Sequence, residues 1–247
     1  MMEENTQVSV NGVVNLPQKS EMNFFKRVAG VFLWPGKVME NLAERPRIAF
    51  PFIFLPVVQL VAVLAMIPMY KEFVRTGTEE LVFQQNLEMT AEQLNNAVNL
   101  ATITGPVAGA IGVVITWVLG ALILWGIIKI FKGQGSFKQV LSITGYAGVI
   151  TILSTVVHII KTNITGVYDL MSYTSIAVLM PKMEGNFIYG MAKFLDVFSI
   201  WQYVVIAIGV AAVSKMPKKK AYLIVAAIFV IQVLYAGITE FRISGIL

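Results

Sequence analysis

Five long runs without a charged side chain constrain this chain more than any other feature: Ile48–Tyr70, Pro106–Ile128, Gln139–Ile160, Val197–Ser214 and Ala221–Thr239. At 1.5 Å per residue, a helix of about 20 residues crosses the ~30 Å hydrocarbon layer of a bilayer. Backbone polar groups in lipid must be satisfied within the segment or in a closed barrel, and none of the five runs alternates with the strict period of two that a barrel strand needs. The expected fold class is therefore all-α, a polytopic membrane bundle of about five helices. Its spans are placed near 48–70, 106–131, 139–160, 195–214 and 221–239.

Composition agrees. Hydrophobic residues make up 57% of the 247 and charged residues 13%, against roughly a quarter charged in soluble domains. The formal charge of +5 would point a soluble protein toward nucleic acid. Here the cations flank the apolar runs, so a lipid bilayer is the expected partner and nucleic acid is not. No cysteine is present, which removes disulfides, thiolate metal sites and cysteine nucleophiles.

Lys and Arg set the expected orientation, because cytoplasmic connections carry the excess. Of the 19, 13 fall in the amino-terminal region and the second and fourth connections, for example Lys132, Lys138 and Lys218 to Lys220. That asymmetry puts the amino terminus in the cytoplasm and the carboxyl terminus outside a cell membrane. Residues 1–22 are polar or mixed, without the basic region and apolar stretch of a cleavable signal, and are expected to be a disordered cytoplasmic tail.

Two segments outside the spans carry helical signals. Phe24, Val28, Val31, Val38 and Leu42 recur at helical spacing, predicting an amphipathic helix on the cytoplasmic interface that Pro35 divides in two. Its expected use is as an interfacial anchor, with a partner-binding face as the alternative. The connection 71–105 is expected to be a helical extracytoplasmic loop. Thr90 and Gln93 form a capping box, and the helix it opens should stop at Gly105-Pro106.

Small residues at Ala108, Gly112, Thr116 and Gly120 form a stripe on the second span, and Thr144, Gly148, Thr151 and Thr155 a similar face on the third. Close packing of the two faces is expected. Gln59, Gln202 and Gln232 are the conspicuous amides inside spans, expected to bond between helices, with a transport pathway as the alternative reading. His158 is the one histidine and is expected to be structural. No catalytic, cofactor or metal residues are assigned: no spacing supplies further ligands to His158, and pumps or intramembrane proteases need more ionisable groups inside their spans. Gly133-Gln134-Gly135 reads as a turn, since it lacks the Lys and Ser/Thr of a phosphate loop. Asn163-Ile164-Thr165 matches a glycosylation acceptor.

The segment Phe32-Leu33-Trp34-Pro35, with Asn41-Leu42 and Arg45-Pro46, resembles the opening of the Yip (Ypt-interacting protein) membrane domain. Gly133 to Lys138 leading to Gly145-Tyr146-Ala147, and Asp196 to Trp201 followed by Gly209, are similar to later family segments. The resemblance covers about Phe24 to Thr239. It implies five spans, a cytoplasmic amino terminus and no known catalysis, and marks Pro35, Gly145, Tyr146, Asp196 and Trp201 as motif positions. Eukaryotic members are associated with Rab-type GTPases. This chain lacks their Asp-Leu-Tyr-Gly-Pro segment, so GTPase binding is not carried over and a prokaryotic-type member is expected. The expected function is a non-catalytic membrane adaptor or organiser, meeting a protein partner or a second copy through its helices. The alternative is a channel or small-solute transporter. A polar cavity near mid-membrane would favour the second, a solid bundle the first.

Overall fold

A computed structural model describes residues 22–180 and 183–244. The expected tail, except for Met22, and Lys182 lie outside the described residues. Pro35 does divide the amphipathic segment. Helix α1 (Phe24–Leu33) is capped by Asn23, whose side chain accepts the Lys26 N–H at 2.9 Å, and α2 (Pro35–Glu44) begins on the proline. Gly30 lets the two helices cross closely, because a Cβ there would lie 2.6 Å from Val38. The apolar stripe finds its partner in the bundle itself: Val31, Val38, Met39 and Leu42 are fully buried in the main core. Phe25, Leu33 and Trp34 stay exposed.

Helix α3 (Ala49–Leu64) ends earlier than the expected span, and the chain turns by 82° before α4 (Ile67–Gln84). The bend lies just ahead of Pro68, which cannot donate to the Leu64 carbonyl and whose ring crowds it. Pro68 instead sits in the first turn of α4, where a missing N–H costs nothing. Pro56, by contrast, stays inside α3.

The predicted stop at Gly105-Pro106 is corrected. Helix α5 runs unbroken from Ala91 to Ile130, 40 residues or about 60 Å, with Pro106 inside it. The capping box at its start is present, with Gln93 N–H to Thr90 Oγ1 at 3.2 Å and Thr90 N–H to Gln93 Oε1 at 2.8 Å. Gly105 matters here for space: Tyr70 of α4 lies where a Cβ would stand. The connection 71–105 is thus a hairpin of α4 and the first part of α5.

The third span is α6 (Phe137–Ala147), a 3₁₀ turn over Gly148–Ile150 and α7 (Thr151–Thr165), ended by Gly166 at φ 70°. After it come a 3₁₀ turn (Ile176–Leu179), α8 (Phe187–Phe194), α9 (Val197–Ser214) and α10 (Lys218–Ser244). Helices α5, α6–α7, α9 and α10 are each long and apolar enough to cross a membrane, and α3–α4 reaches that length and hydropathy only when its two bent arms are counted together. The protein is an all-α polytopic membrane bundle.

Packing is uneven along the bundle. At the end carrying Lys132, Lys138 and Lys218 to Lys220, side chains such as Met39, Ile128, Val140, Ile143 and Val210 form a dense core around α2, α6 and α9. Lys220 Nζ donates to the Phe131 carbonyl at 3.1 Å, tying the two basic connections together. At the opposite end α8 crosses α10 at Gly190 and Gly237, where either Cβ would come within 3 Å of the other helix. The Lys193–Glu240 ion pair closes that crossing at 3.1 Å.

Candidate functional site

Between these two ends the bundle is not solid. Helix α5 rests mainly on α3, α4 and α6, and α10 on α8 and α9. The two stand on opposite sides of a cleft of about 700 Å³. Gly112, Thr116 and Gly120 line it from α5; Thr144, Gly148 and Thr151 line it from the third span. The expected close packing of the two small-residue faces is therefore corrected. Nothing lies within 4 Å of where a Cβ of Gly112 or Gly120 would stand, and Gly120 is exposed. The faces look at each other across open space because Trp117, one turn from both Gly120 and Val113, holds α5 away. Its indole N–H bonds Thr144 Oγ1 at 3.0 Å. Close approach happens one step further on, at Gly145, where a Cβ would lie 2.6 Å from both Pro51 and Trp117.

The cleft wall is mostly apolar, through Leu124, Ile206, Val225 and Ile228. Two of the expected intramembrane amides line it. Gln232 accepts a hydrogen bond from the Tyr203 hydroxyl, bridging α10 and α9 as interhelical glue should. Gln202 makes no hydrogen bond to any described residue.

A second, more polar cavity of about 250 Å³ adjoins the cleft, with Thr151 and Ser199 lining both. Gln59, His158, Asp169 and Asp196 face into it from α3, α7, the connection after α7 and the start of α9. His158 is half-buried, stacked on Tyr173 at 5.6 Å and edge-on to Tyr168 at 5.5 Å. Tyr168 continues the cluster to Tyr70 and Phe73. Burial pushes the Tyr168 hydroxyl pKa up, reinforced by Tyr70.

Asp196 is 3% exposed and fully committed. One oxygen accepts the Phe198 and Ser199 N–H groups at 2.9 Å each, capping α9; the other accepts the hydroxyls of Ser172 and Thr174. Burial works to raise its pKa, but these four hydrogen bonds outweigh it, and the carboxyl sits below the usual carboxylate range. Asp169 is less committed: Oδ1 accepts the Met171 N–H at 2.7 Å and the other oxygen is left open.

The remaining motif positions lie elsewhere. Tyr146 is buried, with Phe50 5.4 Å away and its hydroxyl accepting from Arg27 at 3.5 Å. Trp201 faces outward, and Pro35 starts α2. The sequence reading missed Asp169, Ser199 and Tyr203. Asp169 sits in an irregular connection and gave no periodic signal; Ser199 and Tyr203 flank Gln202 on one face of α9 and could have been found by spacing. Among the described residues, no three His, Asp or Glu side chains converge to hold a metal ion.

Comparison with known proteins matches the Yip1 domain over residues 29–239. The chain belongs to the Yip1 domain family. The membrane protein YknW of Bacillus subtilis (strain 168) is 26% identical over 208 residues, covering 84% of this chain and 87% of YknW. No solved structure matches. Both cavities and every motif position named above fall inside this Yip1 domain, which begins within α1.

Proposed function

We propose that this Yip1-domain chain is a non-enzymatic adaptor or organiser of the cell membrane, with its amino terminus in the cytoplasm and its carboxyl terminus outside. The observation that carries the reading is the construction of α1 and α2. Their buried stripe fuses them to α6 and α9, while Phe25, Leu33 and Trp34 remain on the surface at the Lys-rich end. A rigid pair of helices that shows aromatic and apolar groups beside cations suits a contact made at the headgroup level. The orientation rests on the excess of Lys and Arg at that end.

Crosslinking in native membranes tests the reading. Photoreactive side chains at Leu33 and Trp34 should yield a defined protein adduct or a dimer of the chain. Labelling of lipid alone would contradict an adaptor role.

The cleft favours a second reading, a small-solute transporter, with Gln202 as a polar contact on the way. Toward the Lys-rich end the buried Val140, Ile143 and Val210 close the path. Flux into proteoliposomes, compared between the native chain and Gln202→Leu, separates the two: unchanged, background-level flux leaves the adaptor reading standing.

A further inference from the structure

The two adjoining cavities have opposite characters, and their order along the bundle is that of an amphiphile. The cleft, at about 700 Å³, falls in the range of roughly 300–1,000 Å³ that holds small-molecule ligands. Its wall is apolar, apart from a few hydroxyls and amides, and exposed Gly120 opens it sideways to the bilayer. At its end away from the Lys-rich connections it meets the polar cavity at Thr151 and Ser199.

Several polar groups lining the joined space have hydrogen-bonding capacity that no described residue uses. The amides of Gln59 and Gln202, the Ser199 hydroxyl, the His158 imidazole and one oxygen of Asp169 are all in this position. These open groups line one continuous space, so a single guest that bonds several of them gains free energy when it binds. Asp196 cannot be the recognising charge, since its four acceptor positions are filled. Asp169 can, and it is an anion. Lys161, one turn on from His158, is held 5.6 Å from the ring centroid of Tyr173, which stacks on His158; it does not itself line the cavity but places a cation beside that histidine.

We infer that the joined cavities bind a phospholipid whose headgroup carries an ammonium. One acyl chain lies in the cleft along Gly112, Thr116 and Gly120, the ammonium meets Asp169, and the phosphate lies toward Lys161. A second chain stays in the bilayer through the lateral opening. This goes beyond the adaptor reading, because it concerns a ligand that the isolated chain binds without any protein partner.

Native mass spectrometry of the full chain, titrated with a lysophospholipid, tests the inference. The ethanolamine form should give a one-to-one complex and bind about tenfold more tightly than the glycerol form of the same chain length. Asp169→Asn should abolish that preference while leaving both forms bound. Gly112→Leu, which places a side chain in the cleft, should weaken both. The inference is overturned if the two headgroups bind equally to the native chain, if Asp169→Asn leaves the preference intact, or if a folded Gly112→Leu binds normally. Should Gly112→Leu fail to fold, the headgroup preference of the native chain still decides. Crosslinking through Leu33 and Trp34 is independent of all these outcomes.

Discussion

The indole of Trp117 donates to Thr144 Oγ1 across 3.0 Å, and Thr144 in turn donates to the Val140 carbonyl at 2.9 Å. This chain of bonds fixes the distance between α5 and α6 at the floor of the cleft. Thr144→Val keeps the shape but leaves the indole N–H without its acceptor. A loss of about 1 kcal/mol is expected, the low end of the cost of an unsatisfied donor because the indole is half-buried beside the cleft. Thermal unfolding in detergent measures it, and a Trp117→Phe, Thr144→Val double variant should lose less than the two single losses added together.

Asp196 makes stability depend on pH in one direction. Its pKa is depressed in the folded chain, so its contribution is complete above the unfolded value near 4 and is lost as pH falls through the folded value. The melting temperature should therefore drop on acidification below about pH 4. Asp196→Asn, which removes the charge and part of the α9 cap, should melt lower at neutral pH by the equivalent of about 1–3 kcal/mol and show a weaker acid dependence. An equally steep acid loss in Asp196→Asn would assign the effect to another carboxyl.

The crossing of α8 and α10 has no room for a side chain. A Cβ at Gly237 would lie 2.8 Å from Phe187, and one at Gly190 would lie 2.6 Å from the Ala236 carbonyl oxygen. Gly237→Leu should cost about 1–3 kcal/mol or more through overpacking. Glu240→Gln, which removes the partly exposed ion pair with Lys193 and keeps an oxygen that can accept the Gly185 N–H, should cost less than about 1 kcal/mol. Detergent melting curves of the two variants give the comparison.

The absence of cysteine makes orientation directly testable. On intact cells, a membrane-impermeant maleimide should label Val167→Cys, in the exposed connection after α7, and should spare Lys219→Cys. The reverse pattern would invert the bundle.

Much of the fold was legible because the relevant signals are local. The capping box Thr90/Gln93 starts α5 where its side chains reach back to the backbone, and Pro35 opens α2; Ser136/Gln139 caps α6 in the same way, a local signal that the sequence reading passed over. Pro106 misled, because a proline in a helix removes one hydrogen bond and kinks the chain without necessarily ending it, and α5 is held on both sides of it by α3, α4 and α6. The site was less legible. A stripe such as Gly112, Thr116 and Gly120 has the same spacing whether a helix packs on it or a cleft opens before it. What decides is Trp117, a long-range partner of Thr144 that no periodicity reveals. Asp169 enters the site from an irregular connection, and its role depends on Asp196 being already satisfied.

The decisive measurement is the melting temperature of Gly120→Leu beside that of Gly145→Leu in the same detergent. An open cleft along α5 predicts that Gly120→Leu melts within about 0.5 kcal/mol of the native chain, as a substitution into free space should. Gly145→Leu, driven against Pro51 and Trp117, should be strongly destabilised. Equal, large losses in both would mean that the small-residue stripe is packed against another helix and that no cleft exists.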